Sequence, residues 1–342
     1  MKNYRYCFKK LLKFIPAGFI AVMLISYGFP HKDSVEKSIR CLNLTNISCP
    51  RCLPQSARHI VPEKKTLCLK LSGRLGNNLF QIASVFGIAR AKDMHFTLKY
   101  SQHLKHLKEI FKIESLLVNI SCPENFITDV KHCSFSNVVL KYPNNKDYLM
   151  YGYFQSWLYF FSVEPEIRTM FTFQSKIRDE AQNILRNITQ FHHQKYSLTN
   201  NNSMTYVGIH IRRGDFLKER NVKLGYKTAP ALYFENAMEY YRKQFTNYIF
   251  IVCTDDIEWS TKNLGHKSTY YVHEAFYIDF AVLSMCNHSI ISVGSFSWWS
   301  AWLANGQTVY YPHPFEKNTY LETKFSSHTR DYFPLDWIPI DI

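Results

Sequence analysis

His210-Ile211-Arg212-Arg213-Gly214-Asp215 is the stretch of this 342-residue chain best equipped for chemistry. Two adjacent guanidiniums repel unless something anionic sits between or beside them, and their planar forks match phosphate oxygens bidentately. Asp215 can orient an arginine or accept a proton, and Gly214 lets the backbone turn sharply or approach a ligand closely. The apolar run Tyr206-Val207-Gly208-Ile209 ahead of the motif reads as a buried parallel strand. If that strand runs through Arg212, its period of two puts His210 and Arg212 on one face. On residue types alone, a solvated arginine pair tied to Asp215 accounts for the motif equally well.

The surrounding elements decide between the two. From Thr205 onward, strands at Tyr206–Arg212, Tyr248–Val252, Thr269–Val272, Ser289–Val293 and Thr308–Tyr311 alternate with helices at Ala231–Lys243, after Ile257, at Ala275–Cys286 and at Trp298–Ala304. Five strands alternating with four helices predict a doubly wound parallel sheet, whose ligands bind beyond the carboxyl ends of the strands. Arg213-Gly214-Asp215, Cys253-Thr254-Asp255-Asp256 and Gly294-Ser295-Phe296-Ser297 all fall at those ends. The last places two hydroxyls and free N–H groups at a helix start, an anion-binding terminus, with Ser297 as N-cap the plainer alternative. Asp279 opens the preceding helix, where it caps the dipole or accepts hydrogen bonds from a base edge such as guanine. Asp255 and Asp256 are adjacent rather than two residues apart, and with arginines beside them no metal is expected.

In the first half, Leu67–Leu71 reads as a strand and Ser72-Gly73-Arg74-Leu75-Gly76-Asn77-Asn78 as a tight loop. A helix follows, carrying Leu79, Ile82, Ala83 and Phe86. Strand, glycine loop and helix form a phosphate-cradling arrangement, although the spacing is not that of a dinucleotide fingerprint and Asn78 serves equally as a helix N-cap. Tyr151-Gly152-Tyr153-Phe154-Gln155-Ser156-Trp157 is an aromatic cluster suited to a sugar face or to core packing. Residues 187–203 read as a glycosylated linker. A Rossmann-like lobe over residues 66–203 and another over 204–342 would leave a cleft between them, so the fold class expected is α/β and GT-B-like.

The formal charge of +14 invites a nucleic-acid reading, but Lys2, Arg5, Lys9, Lys10 and Lys13 supply five of those charges and no zinc-finger or RNA-binding signature follows. No nucleic-acid partner is expected. Those cations precede an uncharged run, residues 14–29, read as a single-pass signal-anchor with residues 1–13 in the cytosol; a cleaved signal peptide is the rival. The proline-punctuated residues 30–65 read as a stem. Six sequons, at Asn43, Asn46, Asn119, Asn187, Asn201 and Asn287, agree with a lumenal body. Eight cysteines follow the anchor; their pairing is not fixed by sequence, Cys49 and Cys52 suggest a stem disulfide, and Cys253 and Cys286 equally suit buried thiols.

His-Ile-Arg-Arg-Gly-Asp resembles the H-x-R-R-x-D signature of α1,2- and α1,6-fucosyltransferases. Gly73–Asn78, and Asp279-Phe280-Ala281 with Cys286–Ile290 and Gly294-Ser295-Phe296, are similar to the first and last blocks of the galactoside α1,2-fucosyltransferase family. The resemblance spans about residues 67 to 311. It implies an inverting, metal-independent transferase of L-fucose from GDP-β-L-fucose to the 2-hydroxyl of a galactose-terminated glycan, as a type II protein of the Golgi membrane. By motif, Arg212 and Arg213 would hold the diphosphate, with His210, Gly73, Gly76, Asn77, Ser295 and Ser297 about the donor and Asp279 near guanine. Asp215, or failing it Glu219, is the candidate base. Asn78 stands where the family often has Gln, and Ser297-Trp298-Trp299 varies among members, which leaves the acceptor open. A non-catalytic lumenal carbohydrate-binding protein and a fucosyltransferase of another linkage, such as α1,6, are the alternatives. A sulfotransferase-like enzyme would want a lysine in the first glycine loop, which has none.

Overall fold

The computed structural model describes residues 64–113, 122–129, 131–197 and 203–342. The tail, anchor and nearly all of the stem lie outside them, as do the Cys49–Cys52 pair and Asn43, Asn46, Asn119 and Asn201. No helix among the described residues is long and apolar enough to cross a membrane.

Two parallel sheets organise the chain. The first runs in the order β2-β1-β4-β3, with β1 Thr66–Leu69, β2 His95–Leu98, β3 Phe126–Thr128 and β4 Tyr148–Tyr151. Leu67 of β1 lies between Phe96 and Tyr148, so β1 is central and buried throughout. Helix α1, Leu75–Ala91, returns from β1, and α2, Gln102–Ile110, follows β2 with Leu104, Leu107 and Ile110 inward. Ser101 caps α2 by accepting from Leu104 N.

Helix α3, Ser175–Tyr196, occupies the stretch expected to begin a linker. Ile177, Ala181 and Leu185 recur at helical spacing and form its buried stripe, so Asn187 lies exposed inside a helix. The stripe packs on α6, Phe276–Ser284, of the second sheet.

That second sheet has six parallel strands in the order β7-β6-β5-β8-β9-β10: β5 Thr205–Ile211, β6 Tyr248–Thr254, β7 Thr269–Val272, β8 His288–Ile291, β9 Thr308–Tyr310 and β10 Ile338–Pro339. Five of these strands were expected; the two-residue β10 carries no periodic signal of its own. Helices α4 Ala231–Arg242, α5 Ile257–Asn263, α6 and α7 Ser295–Ala304 supply the crossovers. Val207, Ile209 and Ile211 face α4 through Tyr233, Phe234 and Met238. On the other face α7 meets α1, with Phe80 4.6 Å from Trp298 and 5.2 Å from Trp299 between ring centres. Helix α1 is therefore buried nearly all round, which is why its sequence is apolar on every side.

The C-terminal segment also reaches back to the first sheet. Phe135 N donates to Asp331 Oδ2 at 2.7 Å, Trp157 Nε1 to Arg330 O at 2.8 Å, and Cys133 N to Lys324 O at 3.0 Å. Together with α3, this strap crosses the boundary expected at 203/204. Cys68 and Cys122 form a disulfide, while Cys133, Cys253 and Cys286 are buried free thiols.

Candidate active site

In the second sheet the strand order reverses between β5 and β8, and beyond their carboxyl ends opens a cavity of about 900 Å³. Regular pairing of β5 ends at Ile211, yet its alternation continues: His210 and Arg212 line the cavity, with Arg212 N bonded to Ser292 Oγ after β8 at 2.9 Å. Arg213 points to the opposite face and is not part of the lining. Its Nε donates to Asp256 Oδ2 at 3.0 Å and its guanidinium sits 4.0 Å from the centre of the Trp259 ring. The expectation that both arginines face a diphosphate is corrected here. Consecutive side chains along a strand diverge, and of the pair only Arg212 lines the cavity.

Arg212 is held by two carboxylates, Asp215 through Nη2 and Asp255 through Nη1. Asp255 is itself fixed by Arg213 N at 2.8 Å and Gly214 N at 3.2 Å. Gly214 permits this approach, because a Cβ there would fall 2.5 Å from Asp255 Oδ2. A guanidinium has five N–H donors, so three on Arg212 remain for a ligand, in an orientation already set. Asp215 also accepts from Arg74 Nη2 of the first glycine loop at 3.3 Å.

Two helix N-termini, one from each sheet, meet at the cavity. Gly76 in the first turn of α1 abuts Ser295 at the start of α7, and a Cβ on Gly76 would lie 2.5 Å from the Ser295 carbonyl carbon. Ser295 Oγ donates to Asn77 Oδ1 at 2.8 Å. First-turn N–H groups lack intrahelical partners and carry the positive end of the dipole, so the paired termini and Arg212 form a site for an extended anion. Gly73, Gly76, Asn77, His210, Asp279 and Ser295 all line the cavity.

Three other expectations change. Ser297 is fully buried, off the cavity and in the first turn of α7 rather than at its cap; its hydroxyl donates to Val293 O at 3.0 Å and meets His210 Nδ1 at 2.5 Å. With that proton committed, Oγ accepts from Nδ1–H, and Nε2 of His210 is left as an acceptor. Burial, then the neighbouring Arg212 charge, pushes the His210 imidazole down to about 3, so it is neutral at ordinary pH. Asn78 is not a cap either: α1 starts at Leu75, and Asn78 Nδ2 is spent on Ser72 O and Gln81 Oε1. Glu219 is exposed and pairs with Lys223 at 2.6 Å, away from the cavity, so it is no candidate base.

Asp279, in the first turn of α6, accepts from Glu274 N at 3.0 Å. Burial raises its carboxyl to about 6 against the opposing pull of that hydrogen bond and of His273. The opposite wall belongs to the first sheet: His103 and His106 of α2, and His132, Cys133, Tyr153 and Gln155 from loops. Of these, only Tyr153 and Gln155 fell within a stretch singled out by sequence. Phe154 of that aromatic cluster is core, whereas Tyr153 faces the cavity. Among the described residues no group of three His, Cys, Asp or Glu is placed to hold a metal ion.

A parallel α/β body with a nucleotide-sized cavity at a strand-order reversal, bounded by an arginine and two helix N-termini, is the form of a nucleotide-sugar transferase. Residues 39–341 match the profile of glycosyl transferase family 11, and the chain belongs to that family. The galactoside alpha-(1,2)-fucosyltransferase 1 of Sus scrofa is 27% identical over 287 residues, covering 80% of this chain and 74% of that protein. The galactoside alpha-(1,2)-fucosyltransferase 2 of Rattus norvegicus is 30% identical over 253 residues, covering 70% and 67%. Among solved structures, fucosyltransferase NodZ from Bradyrhizobium aligns over 70% of this chain and 93% of its own at 12% identity and a TM-score of 0.43.

Proposed function

We propose that this chain transfers L-fucose from GDP-β-L-fucose to the 2-hydroxyl of a terminal galactoside, with inversion to an α-1,2 linkage. The observation that carries the reading is Arg212, locked between Asp215 and Asp255 and facing the joined N-termini of α1 and α7. Family membership and the names of the relatives support fucose and galactoside as the reacting sugars.

The acceptor O2 attacks the fucose anomeric carbon from the face opposite GDP, and the bond from that carbon to the β-phosphate oxygen breaks. The electron pair stays on the phosphate, where the growing charge meets Arg212 and the helix termini. Asp215 is occupied by two guanidiniums, so the displaced proton leaves late, to solvent, with no carboxylate base required. Asp279 receives the guanine edge as a carboxylate. The galactoside lies against the wall of His103, His106 and Tyr153.

The reaction is read as metal-independent. Asp255 already binds Arg212 and two backbone N–H groups, and Asp256 holds Arg213 while capping α5 through Trp259 N at 3.1 Å, so each carboxylate is turned toward protein donors. The chain is further read as a type II protein of the Golgi membrane, anchored by residues 14–29. The charge asymmetry before that run and the exposure of Asn187 and Asn287 support this. Protease added to intact microsomes should spare the glycosylated body; a secreted form beginning near Phe29 would instead establish signal cleavage.

The test of function is incubation of the full chain in detergent with GDP-fucose and a panel of β-galactosides, with linkage analysis of the product. A 2-O-fucosyl galactose is expected. Absence of GDP binding would remove the nucleotide-sugar reading, and a product fucosylated at a 6-hydroxyl would move the linkage.

A further inference from the structure

Asn77 carries an amide whose orientation is set from both sheets. Its Oδ1 accepts from Ser295 Oγ at 2.8 Å, on the second sheet's α7, and from Gln155 Nε2 at 2.9 Å, on the loop after β4 of the first. With two donors on that oxygen, Nδ2 must face the other way, and among the described residues it meets no acceptor. It sits over the glycine loop, where a Cβ on Gly73 would lie 2.4 Å from it, and both residues line the cavity at the paired helix N-termini. Nδ2 thus brings two N–H donors to the glycine loop at the edge of the cavity that both residues line.

Gln155 is itself constrained. It is buried, its backbone N donates to His132 O at 2.8 Å, and its Oε1 accepts from Cys133 Sγ at 3.3 Å. Burial pushes the Cys133 thiol up, so it remains protonated and able to donate. The Gln155 amide therefore has its oxygen toward Cys133 and its nitrogen toward Asn77.

We infer that Gln155 is a positioning residue for fucosyl transfer: it donates to Asn77 and thereby presents the Asn77 amide N–H groups to the sugar–phosphate linkage. The inference rests on the fucosyl-transfer reading above. Gln155 need not touch the donor, and its neighbours Tyr153 and His132 belong to the acceptor wall, so the bond to Asn77 links the two substrate sides.

The experiment is a mutant cycle on the full chain in detergent, with kcat, KM for GDP-fucose and a thermal melt for each protein. Gln155→Met keeps the volume and removes the donor. It should cost kcat on the order of 10–10²-fold, the scale of a misplaced catalytic contact, with KM for the donor little changed. The double variant Asn77→Ala/Gln155→Met should be no slower than Asn77→Ala alone, because Gln155 acts only through Asn77. Multiplying losses would overturn the inference.

Gln155→Glu supplies a second readout. Its carboxylate has no proton for Asn77 Oδ1, but its neutral acid does, so activity relative to wild type should rise as pH falls through the pKa of the new side chain and drop to the level of Gln155→Met above it. The charged and titratable groups around it are Asp129, His132, Cys133 and Tyr153 from the first sheet, Tyr226 of the second-sheet loops, and Lys324, Asp331 and Tyr332 from the strap. They are common to both proteins, so the ratio removes their own titration, while their charges set the pH at which the new carboxyl titrates. A flat ratio would contradict the inference. Failure of wild type to transfer fucose would sink the functional reading itself, whereas additive losses in a working enzyme would sink only the role of Gln155.

Discussion

Arg213 sits over the indole of Trp259, 4.0 Å from the ring centre, and donates to Asp256 at 3.0 Å, while its neighbour Arg212 lines the cavity. One of the two adjacent arginines is structural. Arg213→Lys should lower stability by about 1–2 kcal/mol, since an ammonium keeps the charge but not the planar stack. Its kcat should stay within about threefold of wild type, since its partners Asp256 and Trp259 lie off the cavity. A large loss of kcat at unchanged melting temperature would show that Arg213 reaches the donor after all.

The Asp279 carboxyl, raised to about 6 by burial, gives a pH signature with two parts. If its carboxylate receives guanine, KM for GDP-fucose should rise as pH drops below about 6, measured against kcat at each pH. For stability the sign is opposite. An acid raised above its unfolded value binds more protons when folded, so this group's contribution falls as pH climbs from 3.8 through about 6. Asp279→Asn should therefore be more stable near neutral pH, on the order of 1–3 kcal/mol, yet bind donor about 10- to 100-fold more weakly, the loss of charge-assisted hydrogen bonds. Unchanged donor affinity would remove guanine recognition from this residue.

Gly76→Ala tests the meeting of the two helices. A methyl group 2.5 Å from the Ser295 carbonyl carbon must push α1 and α7 apart, at a cost of about 1–3 kcal/mol. Turnover should fall on the order of 10²-fold, because both N-termini lose their common geometry. Normal turnover would mean that the joined termini do not bind the reacting anion.

Excess EDTA should leave activity substantially intact, because Asp255 and Asp256 are committed to arginine and backbone donors. Complete loss restored by Mn²⁺ would return those carboxylates to the centre of the mechanism.

Most of the second sheet was legible because its strands are continuous apolar runs that alternate with helical segments. The divergence of Arg212 and Arg213 was equally available, since the alternation that pairs His210 with Arg212 sends the next side chain across the sheet. What sequence does not carry is contact between distant segments. Nothing local to Gln155 points to Asn77, and the two-residue β10 and the bond from Asp331 to Phe135 exist only once the sheets are placed. Ser297 looked like a cap because a hydroxyl near a helix start usually is one; here α7 begins earlier, at Ser295, and the hydroxyl turns inward to His210. Helix α3 was obscured because its polar surface and its sequon hid a narrow apolar stripe.

The central claim is that the guanidinium of Arg212 stabilises charge on the departing GDP, and it is tested most directly by kcat for Arg212→Lys measured beside Arg213→Lys. A lysine cannot reproduce a fork held by Asp215 and Asp255 while still meeting phosphate. Arg212→Lys should lose about 2–4 kcal/mol of transition-state stabilisation, the range for removal of one charge-stabilising donor, chiefly in kcat. Arg213→Lys should keep its turnover. Near-normal kcat in folded Arg212→Lys, or the larger loss in Arg213→Lys, would contradict the account.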